Sequence, residues 1–143
     1  MSNDNKTLAQ LRDLIDGTDQ QIADLISQRA RYAQEVGDTK KANGETDVVY
    51  YRPEREAQVL RTVMERNKAN GGPLDDEEIA RLFREIMSAC LALEQPLNVA
   101  FLGPVGTFTQ EAVMKHFGHS AVPMPMSAID EVFREVEAGA AHY

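Results

Sequence analysis

The N-terminal part of the chain carries an apolar repeat that no proline interrupts, and this repeat constrains the fold more than any other feature. From Thr7 to about Lys41, apolar side chains recur at steps of three and four residues: Leu8, Leu11, Ile15, Ile22, Leu25, Ala33 and Val36. The spacing predicts one amphipathic helix, about 50 Å long at ~1.5 Å per residue. A small helical bundle cannot cover a stripe of that length, so we expect a second copy of the chain to cover part of it.

Two shorter helices are predicted before Pro96. The second begins at Pro53, where the missing N–H costs no helix hydrogen bond, and it ends before the turn sequence at 70–73. The third begins after Asp75, which forms a capping-box pattern with Glu78, and Pro96 ends it. Residues 1–95 are therefore predicted to form one all-α domain of three helices, of which the first is much the longest.

After Pro96 the pattern changes to alternating short strands and helices. The apolar run 98–102 predicts a buried strand, a turn leads into a helix that ends near 117, and residues 121–124 predict a weaker strand. A further helix from 127 and the beginning of a third strand at 140 follow. Alternation of this kind is typical of α/β folds. Residues 96–143 are too few to close such a domain, so we expect an incomplete α/β segment.

Composition excludes several classes of function. The net charge of −8 argues against nucleic-acid binding, and no apolar run approaches the length of a membrane span. A single cysteine, Cys90, rules out an internal disulfide and favours a cytoplasmic location. All three histidines follow Pro96, so zinc ligation and histidine-based nucleophilic catalysis are not expected in the helical part. We expect no metal and no cofactor there.

The long helix carries cations at positions that allow anion binding. Arg29 falls within the apolar stripe, and Lys40 follows eleven residues later on nearly the same face. Their Cα atoms would be roughly 16 Å apart, close enough for two long side chains to converge on a small dianion. Arg12 would lie about 25 Å from Arg29, so it can share that site only from a second copy. The alternatives are an ion-paired or snorkelling Arg29 and a solvated Arg12.

A series of motifs resembles the all-helical chorismate mutases. They are Leu11-Arg12-x-x-Ile15-Asp16-x-x-Asp19-x-x-Ile22, Leu25-Ile26-x-x-Arg29, Val36-Gly37-x-x-Lys40 and Arg52-Pro-Glu-Arg55-Glu56. The later run Val99-Ala-Phe-Leu-Gly-Pro-Val-Gly-Thr-Phe108 resembles the opening of prephenate dehydratases. In this order the motifs resemble the bifunctional enzymes of phenylalanine biosynthesis, with a mutase domain over 1–95 and the N-terminal fragment of a dehydratase domain over 96–143.

The resemblance implies an activity that needs no histidine. Chorismate mutases rearrange chorismate to prephenate within one molecule, by holding a flexible dianion in a reactive conformation and stabilising charge on its ether oxygen. It implies an intertwined homodimer with shared active sites, in which Arg29 and Arg12 of the partner chain bind the two carboxylates. Lys40 would donate to the ether oxygen and to a carboxylate. The dehydratase part is expected to be inactive in this fragment.

The remaining site residues implied by the resemblance include three departures from the family pattern. Glu56 would accept a hydrogen bond from the ring hydroxyl. Arg52 stands where some members have Asp, which is harmless if that position acts through its backbone N–H. Cys90 replaces a frequent Ser and is a weaker donor. Glu94 replaces a frequent Gln, so it can donate to the ether oxygen only when protonated; with Lys40 it is a candidate catalytic residue.

Two alternatives accompany this interpretation. A turn at 103–107 before a helix predicts a possible anion cradle, although strand–turn–helix junctions of this kind are common. The helical part is alternatively a non-catalytic dimerisation or regulatory module whose charges only pair or face solvent. The two hypotheses differ in geometry, because a catalytic domain requires Arg29, Lys40, Glu56 and Glu94 to line one cavity.

Overall fold

Three helices make up the first two thirds of the chain. The computed structural model describes residues 5–44 and 50–143. The helices are α1 (Leu8–Ala42), α2 (Pro53–Asn70) and α3 (Asp76–Glu94). The prediction of three helices, of which the first is much the longest, is confirmed, but a short second and a medium third helix are not, because α2 has 18 residues and α3 has 19. Residues 45–49, between α1 and α2, lie outside the described residues; they include part of the loop that the polar sequence with Gly44 predicts over 42–47.

The helix ends follow local sequence chemistry with one exception. Thr7 caps α1 in a full capping box with Gln10, and Pro53 occupies the first turn of α2. The predicted capping box at the start of α3 is wrong, because Asp75 makes no side-chain capping bond. Glu78 instead pairs with Arg81 at 2.6 Å, so the carboxylate is engaged by the next turn of its own helix.

The N-terminal half of α1 projects away from the rest of the chain. Every residue from 5 to 28 is exposed, including large apolar side chains such as Leu8 (64%) and Leu25 (63%). The C-terminal part of α1 packs on α3, and Gly37 is buried there. A Cβ at Gly37 would lie 3.4 Å from Cγ and Cδ of Glu94, in van der Waals contact with that side chain.

The second segment is a small α/β unit, as predicted. It contains β1 (Asn98–Leu102), α4 (Phe108–Phe117), β2 (Val122–Met126) and α5 (Ile129–Glu137). The strands pair in parallel, with the first residue of β1 opposite the first residue of β2. Strand β2 begins one residue and ends two residues later than predicted. It is an edge strand, which tolerates Pro123 and Pro125.

The predicted third strand is present only as a short stretch of backbone hydrogen bonds between the last residues of the chain and β1. The N–H of Ala100 donates to the carbonyl of Tyr143 at 2.7 Å, and the N–H of His142 donates to the carbonyl of Asn98 at 2.8 Å. Residues 141–143 therefore lie beside β1 on the side away from β2. This arrangement places Tyr143 next to the helical part.

The hydrophobic core extends across the junction between the two segments. It consists of buried residues from both of them, with Leu91 and Phe117 packed against it: Tyr51, Leu97, Val99, Phe101, Val113 and Ala121. Gly118 packs so closely on α3 that a Cβ there would lie 2.4 Å from Cβ of Ser88, and its φ is +81°. Only glycine satisfies both conditions at this position.

Candidate active site

A cavity of about 240 Å³ lies between the C-terminal half of α1, the beginning of α2 and the C-terminal half of α3. It is lined by Arg29, Ala33, Val36, Lys40, Tyr50, Tyr51, Arg52, Arg55, Glu56, Val59, Met87, Cys90, Leu91 and Glu94. The structure therefore brings together six of the seven residues that the sequence singles out. The exception is Arg12, which lies on the exposed part of α1.

Cations approach the cavity from two sides. Arg29 and Lys40 project from α1, and Arg52 and Arg55 lie at the beginning of α2. Arg52 is 3.9 Å from Glu54 and its side chain is half exposed. These four positive charges favour an anionic ligand, because guanidinium groups bind carboxylates in a bidentate manner.

Arg55 is not among the site residues predicted from the sequence. Its guanidinium donates to Gln58 at 2.8 Å and still lines the cavity. The signal was present, because Arg55 lies three residues after Arg52 and positions at that spacing share a helix face. Tyr50 and Tyr51 were also missed.

Two carboxylates complete the polar lining. Burial raises the pKa of Glu56, and the nearby Arg84 opposes that rise. Burial also raises the pKa of Glu94; Lys40 and Lys41 oppose the rise, and Asp38 adds to it. Both groups are therefore held closer to the protonated form than an exposed glutamate. Glu94 lies against Gly37, so α1 determines where its carboxyl group can be.

Apolar residues and a thiol form the rest of the wall. Cys90 is a free cysteine and only 3% exposed. Val36, Val59 and Leu91 add aliphatic surface to the lining of the cavity, although Val36 is 52% exposed. Electrostatic interactions with a bound ligand are stronger in such a setting than in bulk water.

The turn before α4 lies apart from this cavity. Thr107 is the N-cap of α4 but its side chain makes no capping bond, and its buried hydroxyl has no hydrogen-bond partner. The N–H of Gly106 donates to the side chain of Gln110 at 2.6 Å. A local side chain therefore already occupies one of the donors in the predicted anion cradle.

Metal-binding groups and membrane-spanning helices were looked for among the residues that the structure describes. Among residues 5–44 and 50–143, no three His, Cys, Asp or Glu side chains are grouped to hold a metal ion. Within the same ranges, no helix is long and apolar enough to cross a membrane.

The arrangement is suited to binding and orienting a small anion. The cavity combines four cations, two carboxylates whose pKa burial raises and a largely apolar wall, and no histidine lines it. Such a site can hold a dianion in one conformation and place hydrogen-bond donors around it.

Two family profiles match different parts of the chain. The profile of chorismate mutase type II matches residues 11–95, and the profile of prephenate dehydratase matches residues 99–143. The chain is similar to proteins named bifunctional chorismate mutase/prephenate dehydratase. In Stutzerimonas stutzeri the identity is 63% over 138 residues, 95% of this chain and 37% of the relative.

More distant relatives carry the same name. The identity is 59% over 142 residues in Pseudomonas aeruginosa, 98% of this chain and 38% of the relative. In Aquifex aeolicus it is 42% over 138 residues, 95% of this chain and 37% of the relative. The chain thus spans little more than a third of the length of these curated relatives. No solved structure matches it.

Proposed function

The chain belongs to the chorismate mutase type II family, and we propose that its helical domain, residues 1–95, rearranges chorismate to prephenate. The observation that carries this proposal is that Arg29, Lys40, Glu56 and Glu94, contributed by three helices, line one cavity. A non-catalytic helical module has no need to gather these charges around an apolar pocket. Residues 96–143 are proposed to form the first part of a prephenate dehydratase domain.

The proposed reaction depends on conformation and electrostatics. The rearrangement breaks a C–O bond and forms a C–C bond within one molecule, so it requires a compact conformer of the substrate. Arg29 would grip one carboxylate. Lys40 would donate to the ether oxygen, where negative charge develops, and to a carboxylate. Glu94, when protonated, would be the second donor to that oxygen.

Other residues of the cavity would fix the orientation of the ring. Glu56 would accept a hydrogen bond from the ring hydroxyl, and Arg52 would contribute its backbone N–H at the beginning of α2. Cys90 would close the wall on the side of α3. Because these contacts remain nearly unchanged during the rearrangement, they would stabilise the bound substrate and the transition state equally.

We infer that the functional unit is a homodimer. The exposed apolar stripe of α1 requires a cover, since contiguous apolar surface of this size marks a site of association. A second copy packed along α1 would also supply the missing cation, Arg12, to the cavity. Its two active sites would then be shared between the chains.

The proposal places the protein in phenylalanine biosynthesis, in the cytoplasm. The substrate would be chorismate, with no cofactor, nucleic acid or membrane involved. The 143-residue chain would not convert prephenate to phenylpyruvate, because the dehydratase match begins at residue 99 and the relatives are much longer.

The test is consumption of chorismate by the purified chain. Removing one well-placed donor typically costs about 10²–10³-fold in turnover, and Arg29→Ala is expected to lose activity on that scale. Arg31→Ala, an exposed position on the same helix, is the matched control and keeps its activity. A dicarboxylate transition-state analogue is expected to titrate at one molecule per chain. A wild-type chain that neither turns over chorismate nor binds the analogue is a non-catalytic module.

A further inference from the structure

Tyr51 belongs both to the wall of the cavity and to the core of the α/β segment. It is 7% exposed and lines the cavity directly before Arg52. Its other neighbours are core residues that follow Pro96, such as Val99, Phe101 and Val113. Burial raises the pKa of its hydroxyl to about 12, with a further contribution from Glu56. No role is assigned to this residue by the mechanism above.

The ring of Tyr51 is clamped by two rings of the α/β segment. Its centroid is 5.6 Å from that of Phe117, with an angle of 55° between the planes. It is 5.1 Å from that of Tyr143, at 85°. Phe117 and Tyr143 also contact each other at 5.6 Å. Tilted and edge-on contacts at these distances are favourable for aromatic rings.

The pair of rings that flanks Tyr51, Phe117 and Tyr143, is called the clamp here. The end of α4, which carries Phe117, is attached to α3. Next to Phe117, Gly118 packs against Ser88 with no room for a side chain. The ring Nδ1 of His119 lies 2.7 Å from one oxygen of Glu85, and its backbone N–H donates to the other at 3.0 Å. The end of α4 therefore has a defined position on the helical domain.

The beginning of α2 has few restraints of its own. Arg52 is its N-cap but makes no side-chain capping bond. The N–H groups of Arg55 and Glu56 both donate to the carbonyl of Arg52 at 3.1 Å. The position of the first turn of α2 thus depends on the backbone of Arg52. The residue directly before Arg52 is the buried Tyr51.

We propose that Tyr51 is a positioning residue through which the α/β segment holds the α2 wall of the mutase cavity. The inference rests on the proposed function and deepens it, because the affinity of the helical domain for its substrate then depends on residues outside that domain. The contacts affected, those of Arg52 and Glu56, serve ground state and transition state alike. Loss of the clamp therefore raises KM more than it lowers kcat.

The test substitutes Phe117, which does not line the cavity. Phe117→Ala is expected to raise KM for chorismate about tenfold and to change kcat less than about threefold. Phe117→Leu retains most of the buried volume and is expected to restore most of the affinity. Phe133→Ala removes a ring that is 65% exposed on α5 and is the matched control, with KM unchanged.

A second measurement is independent of turnover. Hydrogen exchange at the amides of Arg55 and Glu56 is expected to accelerate about tenfold in Phe117→Ala, relative to Phe133→Ala, as the first turn loosens. Unchanged exchange, or a KM equal to that of the control in a folded Phe117→Ala variant, overturns the inference. If the wild type has no mutase activity, the proposed function fails, and the exchange rates alone decide whether Tyr51 holds α2.

Discussion

At the scale of single residues, the proposed role of Glu94 depends on its protonation. Burial raises its pKa against the opposing effect of Lys40 and Lys41, so the protonated fraction at a given pH exceeds that of an exposed glutamate. Only the protonated form donates a hydrogen bond. Turnover is therefore expected to fall as pH rises through this pKa.

The test of this role is Glu94→Gln, which supplies a donor at every pH and keeps the side-chain shape. The variant is expected to lose the decline at high pH and to match wild type at low pH. Parallel profiles of kcat between about pH 5 and pH 9 decide the matter. Identical declines in both proteins would show that another group titrates.

Substitution of Gly37 is expected to lower activity without lowering stability. Gly37→Ala favours the helix by roughly 1 kcal/mol, but its Cβ would lie in van der Waals contact with the Glu94 side chain at 3.4 Å and would restrict the positions open to that carboxyl group. We expect an unchanged or slightly higher melting temperature and a several-fold lower kcat. Gly17→Ala is the control, since nothing lies within 4 Å of a Cβ there. A normal kcat for Gly37→Ala would show that the position of Glu94 is not critical.

The sequence predicted some of these residues and missed others for physical reasons. Arg29 and Lys40 could be paired from helical spacing alone, because both lie on one helix. Tyr51 could not, since it lies before a proline in a short connection and its burial comes from residues far along the chain. Periodicity describes neighbours within an element and carries no information about such contacts.

At the scale of the elements, α1 has more apolar surface than its own chain covers. Its exposed residues include Ile15 (58%), Ile22 (49%) and Leu25 (63%). The sequence predicted both the helix and its need for a partner, because length and stripe are local properties. It did not predict that Gly37 is buried beside Glu94 of α3, because periodicity identifies Gly37 only as a helix-weakening residue.

The dimer is tested by placing a charge on the stripe. Leu25→Glu would bury an unpaired carboxylate in the proposed interface, at a cost of several kcal/mol, and is expected to give monomers in sedimentation equilibrium. Gln20→Glu introduces the same side chain on the opposite face of α1 and is expected to leave the dimer intact. A dimeric Leu25→Glu protein would exclude this face as the interface.

At the scale of the whole molecule, shared sites can be tested by subunit exchange. Arg12→Ala and Arg29→Ala homodimers are each expected to be inactive, since every site lacks one arginine. A mixed dimer contains one site with both arginines intact and one with neither. Activity is therefore expected to return after mixing, to about a quarter of the wild-type level at random exchange.

The control for this experiment is to show that the two variants exchange chains. Mass spectrometry of differently labelled chains would confirm that mixed dimers form. No recovery of activity once exchange is established would place Arg12 outside the active site. Recovery without exchange would be equally inconsistent with sites built from two chains.

The elements of the fold could largely be predicted from the sequence, but the packing of the two segments on each other could not. Helix bounds and the change to an α/β pattern after Pro96 follow from local signals such as Pro53 and Gly118. The two segments nevertheless share one hydrophobic core. That core depends on contacts between residues of widely separated number, and Gly118 against Ser88 illustrates them. A sequence read element by element treats the segments as independent.

If a second copy covers the exposed stripe of α1, as proposed, the behaviour of this protein depends on its concentration. If folding is completed only when two chains meet, part of the free energy of the native state comes from a bimolecular step. Dilution then acts as a denaturant would, lowering the melting temperature and emptying the active sites together. A cell that makes few copies would have less activity per molecule than one that makes many.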